Sequence, residues 1–232
     1  MGFLKRLRTL VVEQRCMPWR VRIWLGKRWP KLLVFLQTGR TNINTPEHWD
    51  AKWEDAGPDG ARWCQFPNKF ARICELIGRD KDVLDVGCGV GLLLEMLRDR
   101  NGCRCSGGDI SPRAVEMAQA KGLAAQVAKL PEIPLPDNRF DAAIATELIE
   151  HLDRPELTLR EMARVVRPGG LLIISTPCEA LSTEDTLEHL HTFDAESLRR
   201  LLAGYADHVV IETLDEEGFE ADFLLAWGRV KK

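Results

Sequence analysis

The sequence has no long apolar run of the kind that spans a lipid bilayer. Its longer uncharged stretches, such as residues 32–39 and 169–178, are well short of the roughly 20 apolar residues that a membrane-spanning helix needs. The bias of disordered or collagen-like chains is also missing, because 45% of the 232 residues are hydrophobic and 29% are charged. We therefore expect one packed domain with a modest extension, and not two full domains.

Paired cysteines are absent as well. The seven cysteines are odd in number, scattered along the chain and never spaced as CxxC. This pattern indicates neither a disulfide framework nor a zinc knuckle, and it favours a reducing cytoplasm.

Acidic residues are nearly missing from the first 44 positions. That segment has ten basic residues against the single acid Glu13, a charge of +9, so the rest of the chain carries −12 to reach the net charge of −3. The asymmetry predicts a basic arm, residues 1–44, that meets an anionic surface. The acidic remainder is not expected to bind nucleic acid.

Apolar residues of the arm recur with helical spacing, and three tryptophans stand among its cations. Because indole suits the headgroup layer and cations are drawn to anionic lipid, one interpretation is peripheral membrane contact through residues 1–44. The other is that the apolar face packs on the chain's own body or on a second subunit. The apolar positions are Phe3, Leu4, Leu7, Leu10 and Val11, and the tryptophans are Trp19, Trp24 and Trp29.

From about Asp80 onward, short apolar runs alternate with helical patterns, which is typical of an α/β fold with a parallel sheet. A short turn around residues 215–218 joins the last two strands, so these should pair antiparallel. We predict helices at 92–100, 112–121, 155–166 and 195–202, and strands at 83–86, 104–109, 125–128, 140–146, 170–176, 208–214 and 222–228.

A glycine-rich turn follows the first of these strands. Glycines at 87, 89 and 91 would let a nucleotide-like ligand lie against the backbone at the start of the next helix. The pattern is GxGxG and not the GxGxxG of dinucleotide sites, since Leu92 occupies the place of the third glycine. Asp109 ends the second strand, where a carboxylate can accept both hydroxyls of a ribose.

The chain from 80 to 230 resembles class I S-adenosylmethionine-dependent methyltransferases, in particular the type 11 and 23 domains, with some likeness to ubiquinone-pathway O-methyltransferases. The resemblance implies a Rossmann-like seven-stranded sheet, order 3-2-1-4-5-7-6 with strand 7 antiparallel, and helices on both faces. It rests on Asp85-Val-Gly-Cys-Gly-Val-Gly91, Gly108-Asp-Ile-Ser-Pro112, Leu135-Pro-Asp-Asn-Arg-Phe-Asp141, Glu147-Leu-Ile-Glu-His-Leu152 and Arg167-Pro-Gly-Gly170.

The resemblance also implies roles for individual residues around S-adenosylmethionine. Gly87 and Gly89 would face its methionine part, with Asp85 near the amino group. A backbone carbonyl would come from Thr146. The remaining cofactor-binding residues are Asp109 at the ribose and Ile110 and Leu130 at the adenine.

The sequence departs from the family on the adenine side. Many relatives have an acid there, whereas this chain has Ala128-Lys129-Leu130, and lysine offers no acceptor. Adenine recognition would then depend on a backbone carbonyl or on Gln126.

His151 is the candidate general base for an oxygen nucleophile, although the Glu147–His151 motif could instead only position the cofactor loop. The same motif resembles the ExxEH plus histidine arrangement of divalent-cation-dependent O-methyltransferases. Glu147, Glu150 and His151, with His189 or His191, could hold such an ion. Our prediction nevertheless assigns no metal ligand.

Two segments are expected to cover the cavity. Residues 45–79 form a helical cap in which Trp49, Trp53 and Trp63 either close the cofactor mouth or simply pack on the body. Residues 179–192 form a loop over the substrate, followed by a helix capped by Asp194.

These features predict a methyltransferase domain at 80–232, using S-adenosylmethionine to methylate a small-molecule or lipid-linked acceptor at oxygen, in the cytoplasm or at a membrane surface. The alternative is a non-catalytic S-adenosylmethionine-binding protein whose arm docks a partner. A nucleotide-dependent oxidoreductase is disfavoured by the missing third glycine. The fold does not determine the acceptor.

Overall fold

A computed structural model describes Trp29, Leu32 and residues 42–57, 66–178, 188–216 and 222–231. Most of the basic arm, Trp63 and most of the loop 179–192 lie outside these residues. Within the described ranges, no helix combines the length and apolar character needed to cross a membrane.

The strands form one seven-stranded sheet in the order β3-β2-β1-β4-β5-β7-β6, which confirms the predicted fold. Strands β1 to β5 pair in parallel, and β7 is antiparallel to both β5 and β6. The bounds are β1 Asp82–Val86, β2 Arg104–Asp109, β3 Ala124–Val127, β4 Phe140–Thr146, β5 Val166–Pro177, β6 Ala206–Leu214 and β7 Phe223–Val230.

Helices cover both faces of this sheet. The cap segment supplies α1 and α2, and a short 3-10 turn, Ile149–His151, follows β4. The bounds are α1 Pro46–Ala56, α2 Pro67–Ile77, α3 Leu92–Asn101, α4 Pro112–Ala120, α5 Pro155–Val165 and α6 Ala195–Ala203.

The predicted elements differ from the structure mainly at their ends. The fifth strand was predicted to begin at Gly170, and Val166 was assigned to the preceding helix. Both assignments were wrong, because Val166 already pairs with Phe140 and the register shifts before Ala142 pairs with Leu171. The Pro-Gly-Gly segment therefore lies within an irregular strand.

Alternate residues of the central strands enter two apolar layers. On one face, Leu84 and Ala143 pack with Leu159 of α5 and Leu198 of α6. On the other, strand residues pack with α2 and α3 in a second cluster that includes Ile73, Leu97, Val83 and Ile144. This period-two burial fixes the sheet between its helices and brings the carboxyl ends of β1, β2 and β4 to one edge.

Candidate active site

A cavity of about 680 Å³ opens at the carboxyl ends of the central strands. Crevices of this kind are where open α/β sheets bind their ligands. The cavity brings together all eight residues that the sequence marked as cofactor-binding or catalytic, namely Asp85, Gly87, Gly89, Asp109, Ile110, Leu130, Thr146 and His151.

The turn between β1 and α3 requires glycine. Gly89 has a φ of +51°, and a Cβ there would lie 2.6 Å from the indole of Trp53. Gly91 has a φ of +79°, and a Cβ there would lie 2.4 Å from a methyl group of Leu123. The backbone conformation and the lack of space therefore both exclude side chains at these two positions.

Asp109 is held in place by the backbone around it. Its Oδ2 accepts a hydrogen bond of 2.8 Å from the Gly89 N–H, and its Oδ1 accepts one of 2.9 Å from the Ser111 N–H. Burial raises the pKa of this carboxyl group, while the backbone donors oppose the shift. Each oxygen keeps lone-pair capacity for a further donor, so the geometry fits a ligand with two adjacent hydroxyls.

Asp85 is buried at the end of β1, and its Oδ1 has no hydrogen-bond partner. Burial, with a contribution from the charge of Asp109, raises the pKa of Asp85 to about 7. A buried carboxylate with an unsatisfied oxygen is stabilised by a cationic ligand. The cavity therefore offers charge compensation close to the glycine turn.

The adenine side of the cavity is lined by Ile110, Ala128, Lys129 and Leu130. Gln126, one of the two adenine partners that the sequence left open, is outside this lining. Lys129 is exposed. A flat ring such as adenine, bound on this side of the cavity, would therefore make its apolar contacts with Ile110 and Leu130.

His151 has a defined tautomer. Its Nδ1 lies 3.3 Å from the carbonyl oxygen of Glu188, which can only accept, so Nδ1 carries the proton and Nε2 is left as an acceptor. Burial, followed by the neighbouring His189, lowers the pKa of His151 to about 3. The ring is therefore neutral at pH 7, with the edge of Trp49 packed against it at a centroid distance of 5.0 Å.

Three of the five candidate metal ligands named from the sequence form a group that could hold a metal ion. One ligand atom each from Glu150, His151 and His189 lies within 4.8 Å of the others, and all three side chains are buried. Neither carboxylate oxygen of Glu150 has a hydrogen-bond partner. Burial, with the charge of Glu147, raises the pKa of Glu150.

The other two candidates, Glu147 and His191, do not join the group. The Oε1 of Glu147 instead accepts hydrogen bonds of 2.8 Å from the Lys69 Nζ and 2.7 Å from the Ser175 Oγ. The ring of His191 packs near Phe193, at a centroid distance of 5.9 Å. Of the two histidines that the sequence left open, His189 is the one whose ring joins the carboxylate of Glu150, whereas His191 contacts Glu150 through its backbone N–H.

Several site contacts could not be anticipated from sequence. Lys69 is fully buried, with its Nζ 3.5 Å from the Phe66 ring centroid and 4.1 Å from that of Phe223. Glu188 accepts a hydrogen bond of 2.7 Å from the Lys52 Nζ, which connects α1 to the segment that precedes α6. The two expected cap tryptophans, Trp49 and Trp53, both line the cavity.

The sequence was compared with models of known protein families. The sequence model of the family described as a methyltransferase domain matches residues 84–174. This stretch runs from β1 into β5 and contains the glycine turn, Asp109 and the ExxEH motif. Residues 84–174 thus form a methyltransferase domain of the class I, S-adenosylmethionine-dependent type. The methyl donor of such a domain is S-adenosylmethionine.

Curated relatives of this methyltransferase include both O- and N-methyltransferases. A ubiquinone biosynthesis O-methyltransferase of Alkalilimnicola ehrlichii is 31% identical over 159 residues, covering 60% of this chain and 63% of the relative. A probable tocopherol O-methyltransferase of Oryza sativa is 33% identical, covering 55% and 37%. Ajmaline N-methyltransferase of Rauvolfia serpentina is 36% identical, covering 41% and 36%. The chain thus matches between about a third and two thirds of these relatives' length.

Solved structures share the fold. The N-methyltransferase NodS of Bradyrhizobium japonicum, solved with S-adenosylhomocysteine, has a TM-score of 0.64 at 19% identity, covering 82% of this chain and 100% of that chain. A possible histamine N-methyltransferase of Thermotoga maritima has a TM-score of 0.62 at 21% identity, covering 78% and 99%.

Proposed function

We propose that this methyltransferase transfers the methyl group of S-adenosylmethionine to a hydroxyl of a small-molecule or lipid-linked acceptor. The observation that carries the proposal is that Asp85, Asp109, the glycine turn and the neutral imidazole of His151 line one cavity. Relatives named as ubiquinone and tocopherol O-methyltransferases support oxygen as the acceptor atom.

The chain's own residues would bind the cofactor and keep its surroundings dry. When bound, S-adenosylmethionine supplies a methyl group already activated on a sulfonium. Asp109 would hold the ribose hydroxyls and Asp85 would compensate positive charge. Trp49 and Trp53 line the cavity on the α1 side and would help to exclude water, which favours a methyl transfer that depends mainly on positioning.

The acceptor would lie between His151 and an aromatic wall. Phe66, Phe70 and Phe223 line the cavity and offer apolar surface to a ring or an aliphatic chain. The Nε2 of His151, left free by the Nδ1 contact with Glu188, would receive the proton of the acceptor hydroxyl.

The family also contains enzymes with a divalent cation at this motif, and the residues here fit one. The unpartnered carboxylate of Glu150, with His151 and His189, would hold the ion. A bound cation would polarise the acceptor oxygen. His151 would then be a ligand and not a base, so activity that is lost on chelation and restored by Mg²⁺ or Zn²⁺ would favour this second role.

Binding and labelling test the proposed function in sequence. Calorimetry should show saturable binding of S-adenosylhomocysteine and none of NAD. The protein is then incubated with extract and S-adenosylmethionine carrying a heavy methyl, and the labelled product is identified by mass spectrometry. Cofactor binding without any labelled product would instead favour the non-catalytic alternative. No binding would contradict the assignment of the cavity.

We further propose that the protein acts in the cytoplasm, with residues 1–44 against an anionic membrane surface. Support comes from the charge of +9 and the tryptophans of this segment. The full-length protein should float with liposomes containing anionic lipid, and less so in high salt. Reversing four charges in a full-length variant, Arg20→Glu, Arg22→Glu, Lys27→Glu and Arg28→Glu, should abolish flotation, and failure of the unmodified chain to float would contradict the proposal.

A further inference from the structure

Helix α1 places an indole directly over the glycine turn. Trp53 is 9% exposed, and its ring atoms lie 2.6–2.7 Å from where a Cβ of Gly89 would be. This is the part of the turn that faces the methionine moiety in the proposed function. The indole of Trp53 is therefore a wall of the proposed cofactor site contributed from outside the 84–174 methyltransferase match.

The cavity lining contains several buried polar atoms without a hydrogen-bond partner. Among the described lining residues, those atoms are Oδ1 of Asn44, Oδ1 of Asp85, both carboxylate oxygens of Glu150 and Nε1 of Trp53. The amide oxygen of Asn44 and the ionised carboxylates of Asp85 and Glu150 can only accept. Because an indole nitrogen can only donate, Trp53 is the one member of this set that donates in every protonation state.

The charges of the cofactor match this division. S-adenosylmethionine carries a sulfonium and an ammonium, which suit acceptor oxygens, and one carboxylate, which they repel. Of the two lysines in the lining, Lys52 is already bound to Glu188 at 2.7 and 2.9 Å, and Lys129 is exposed. A buried N–H without a partner destabilises the fold, so a ligand acceptor at Trp53 would remove a penalty that is already present.

We propose that Trp53 is a cofactor-binding residue whose indole N–H donates a hydrogen bond to the carboxylate of S-adenosylmethionine. The inference rests on the proposed function and adds a specific ligand atom to it. Helix α1 would then bind the cofactor as well as cover it.

Two contacts hold the helix that carries Trp53. Oδ1 of Asp50 accepts from the Ser111 Oγ at 2.5 Å and from the Arg113 N–H at 3.0 Å, which attaches α1 to the start of α4 beside Asp109. Lys52 of the same helix binds Glu188. The donor is therefore preorganised, and binding the carboxylate needs little ordering of the side chain.

The test compares two ligands on two proteins. Calorimetry measures the affinity of full-length wild type and Trp53→Phe for S-adenosylhomocysteine and for its decarboxylated analogue, which lacks only the carboxylate. Wild type should bind S-adenosylhomocysteine about ten- to a hundredfold more tightly than the analogue, as expected for a hydrogen bond to a charged group. Trp53→Phe should lose most of that difference by weakening S-adenosylhomocysteine alone.

Trp227→Phe is the matched control, since it removes a buried indole N–H on β7 outside the cavity lining and should leave both affinities unchanged.

Equal weakening of the binding of both ligands by Trp53→Phe would overturn the carboxylate contact. Unchanged or tighter binding of S-adenosylhomocysteine by this variant would overturn it as well. If Trp53→Phe does not fold, equal affinity of wild type for the two ligands overturns the inference by itself. Absence of any S-adenosylhomocysteine binding to wild type would instead contradict the proposed function.

Discussion

Asp85 and Asp109 are two buried carboxylates in one cavity, and their oxygens are satisfied differently. Asp109 accepts backbone hydrogen bonds from Gly89 and Ser111, whereas Oδ1 of Asp85 has no partner. A carboxylate fixed by backbone donors suits the hydroxyls of a ligand, while one without partners suits a cation. The proposed ribose and ammonium roles thus follow from the local contacts as well as from the motif.

Replacing the proposed ribose ligand should weaken cofactor binding. Asp109→Ala removes two charge-assisted contacts to the ligand and the acceptor that orders the Gly89 N–H. We expect a loss of about 1–3 kcal/mol in the binding free energy of S-adenosylhomocysteine, measured by calorimetry. Asp99→Ala, which removes an exposed acid on α3, is the control and should bind normally. Unchanged affinity of Asp109→Ala would refute the ribose assignment.

The pKa of Asp85 links cofactor binding to pH. In the folded protein the pKa of Asp85 is about 7, above the ordinary value near 4. Ionising this carboxyl group therefore opposes folding, so the free energy of unfolding decreases as the pH rises from about 4 to 7. The ammonium of the ligand, which is proposed to lie near Asp85, favours the ionised form, so binding should lower this pKa and release a proton. Affinity for S-adenosylhomocysteine should therefore increase as pH rises toward 7 and level off above it.

Calorimetry at pH 6.5 in buffers of different ionisation enthalpy measures that proton directly. Asp85→Asn, which cannot ionise, should bind with a smaller pH dependence and release less. Equal proton release by the two proteins would show that Asp85 is not the linked group.

At the scale of elements, one ionic contact joins helix α1 to the segment that precedes α6. Although burial raises the pKa of Glu188, hydrogen bonds from His48 and Lys52 outweigh it and lower the pKa to about 2. Glu188→Ala should decrease the free energy of unfolding by about 1–3 kcal/mol and speed amide exchange in residues 46–56 and 188–191. Glu196→Ala, which breaks an exposed pair on α6, should change neither. Normal exchange in Glu188→Ala would contradict this contact.

Elements of the body could be predicted from sequence because their apolar residues repeat with the periods of strand and helix. That the site residues lie close together could also be predicted, because the carboxyl ends of parallel strands meet at one edge of the sheet. Contacts from the cap could not be predicted: Lys69 and Glu147 are 78 positions apart, and Lys52 and Glu188 are 136 apart. Nothing in the local pattern distinguishes these lysines from exposed ones.

At the scale of the whole molecule, one buried cation connects separate parts of the fold. Lys69 extends from α2 between the rings of Phe66 and Phe223 to reach Glu147, just beyond β4. Ser175 of β5 donates to the same carboxylate. The pair thus joins the cap, two parallel strands and the antiparallel β7 at the rim of the cavity.

Loss of this cation should destabilise the whole domain. Lys69→Ala leaves the partly buried Glu147 without its counter-charge. Removing one partner of a buried pair lowers the free energy of unfolding by about 3–5 kcal/mol, and the total for a domain is typically between about 5 and 15 kcal/mol. Urea unfolding, followed by circular dichroism and tryptophan fluorescence, measures the loss, and coincident transitions would show that it is global. Lys81→Ala, at an exposed lysine before β1, should have little effect. The double variant Lys69→Ala with Glu147→Ala removes both charges and leaves none unpaired. It should therefore lose less stability than the two single variants lose together. Strictly additive losses would contradict a coupled pair.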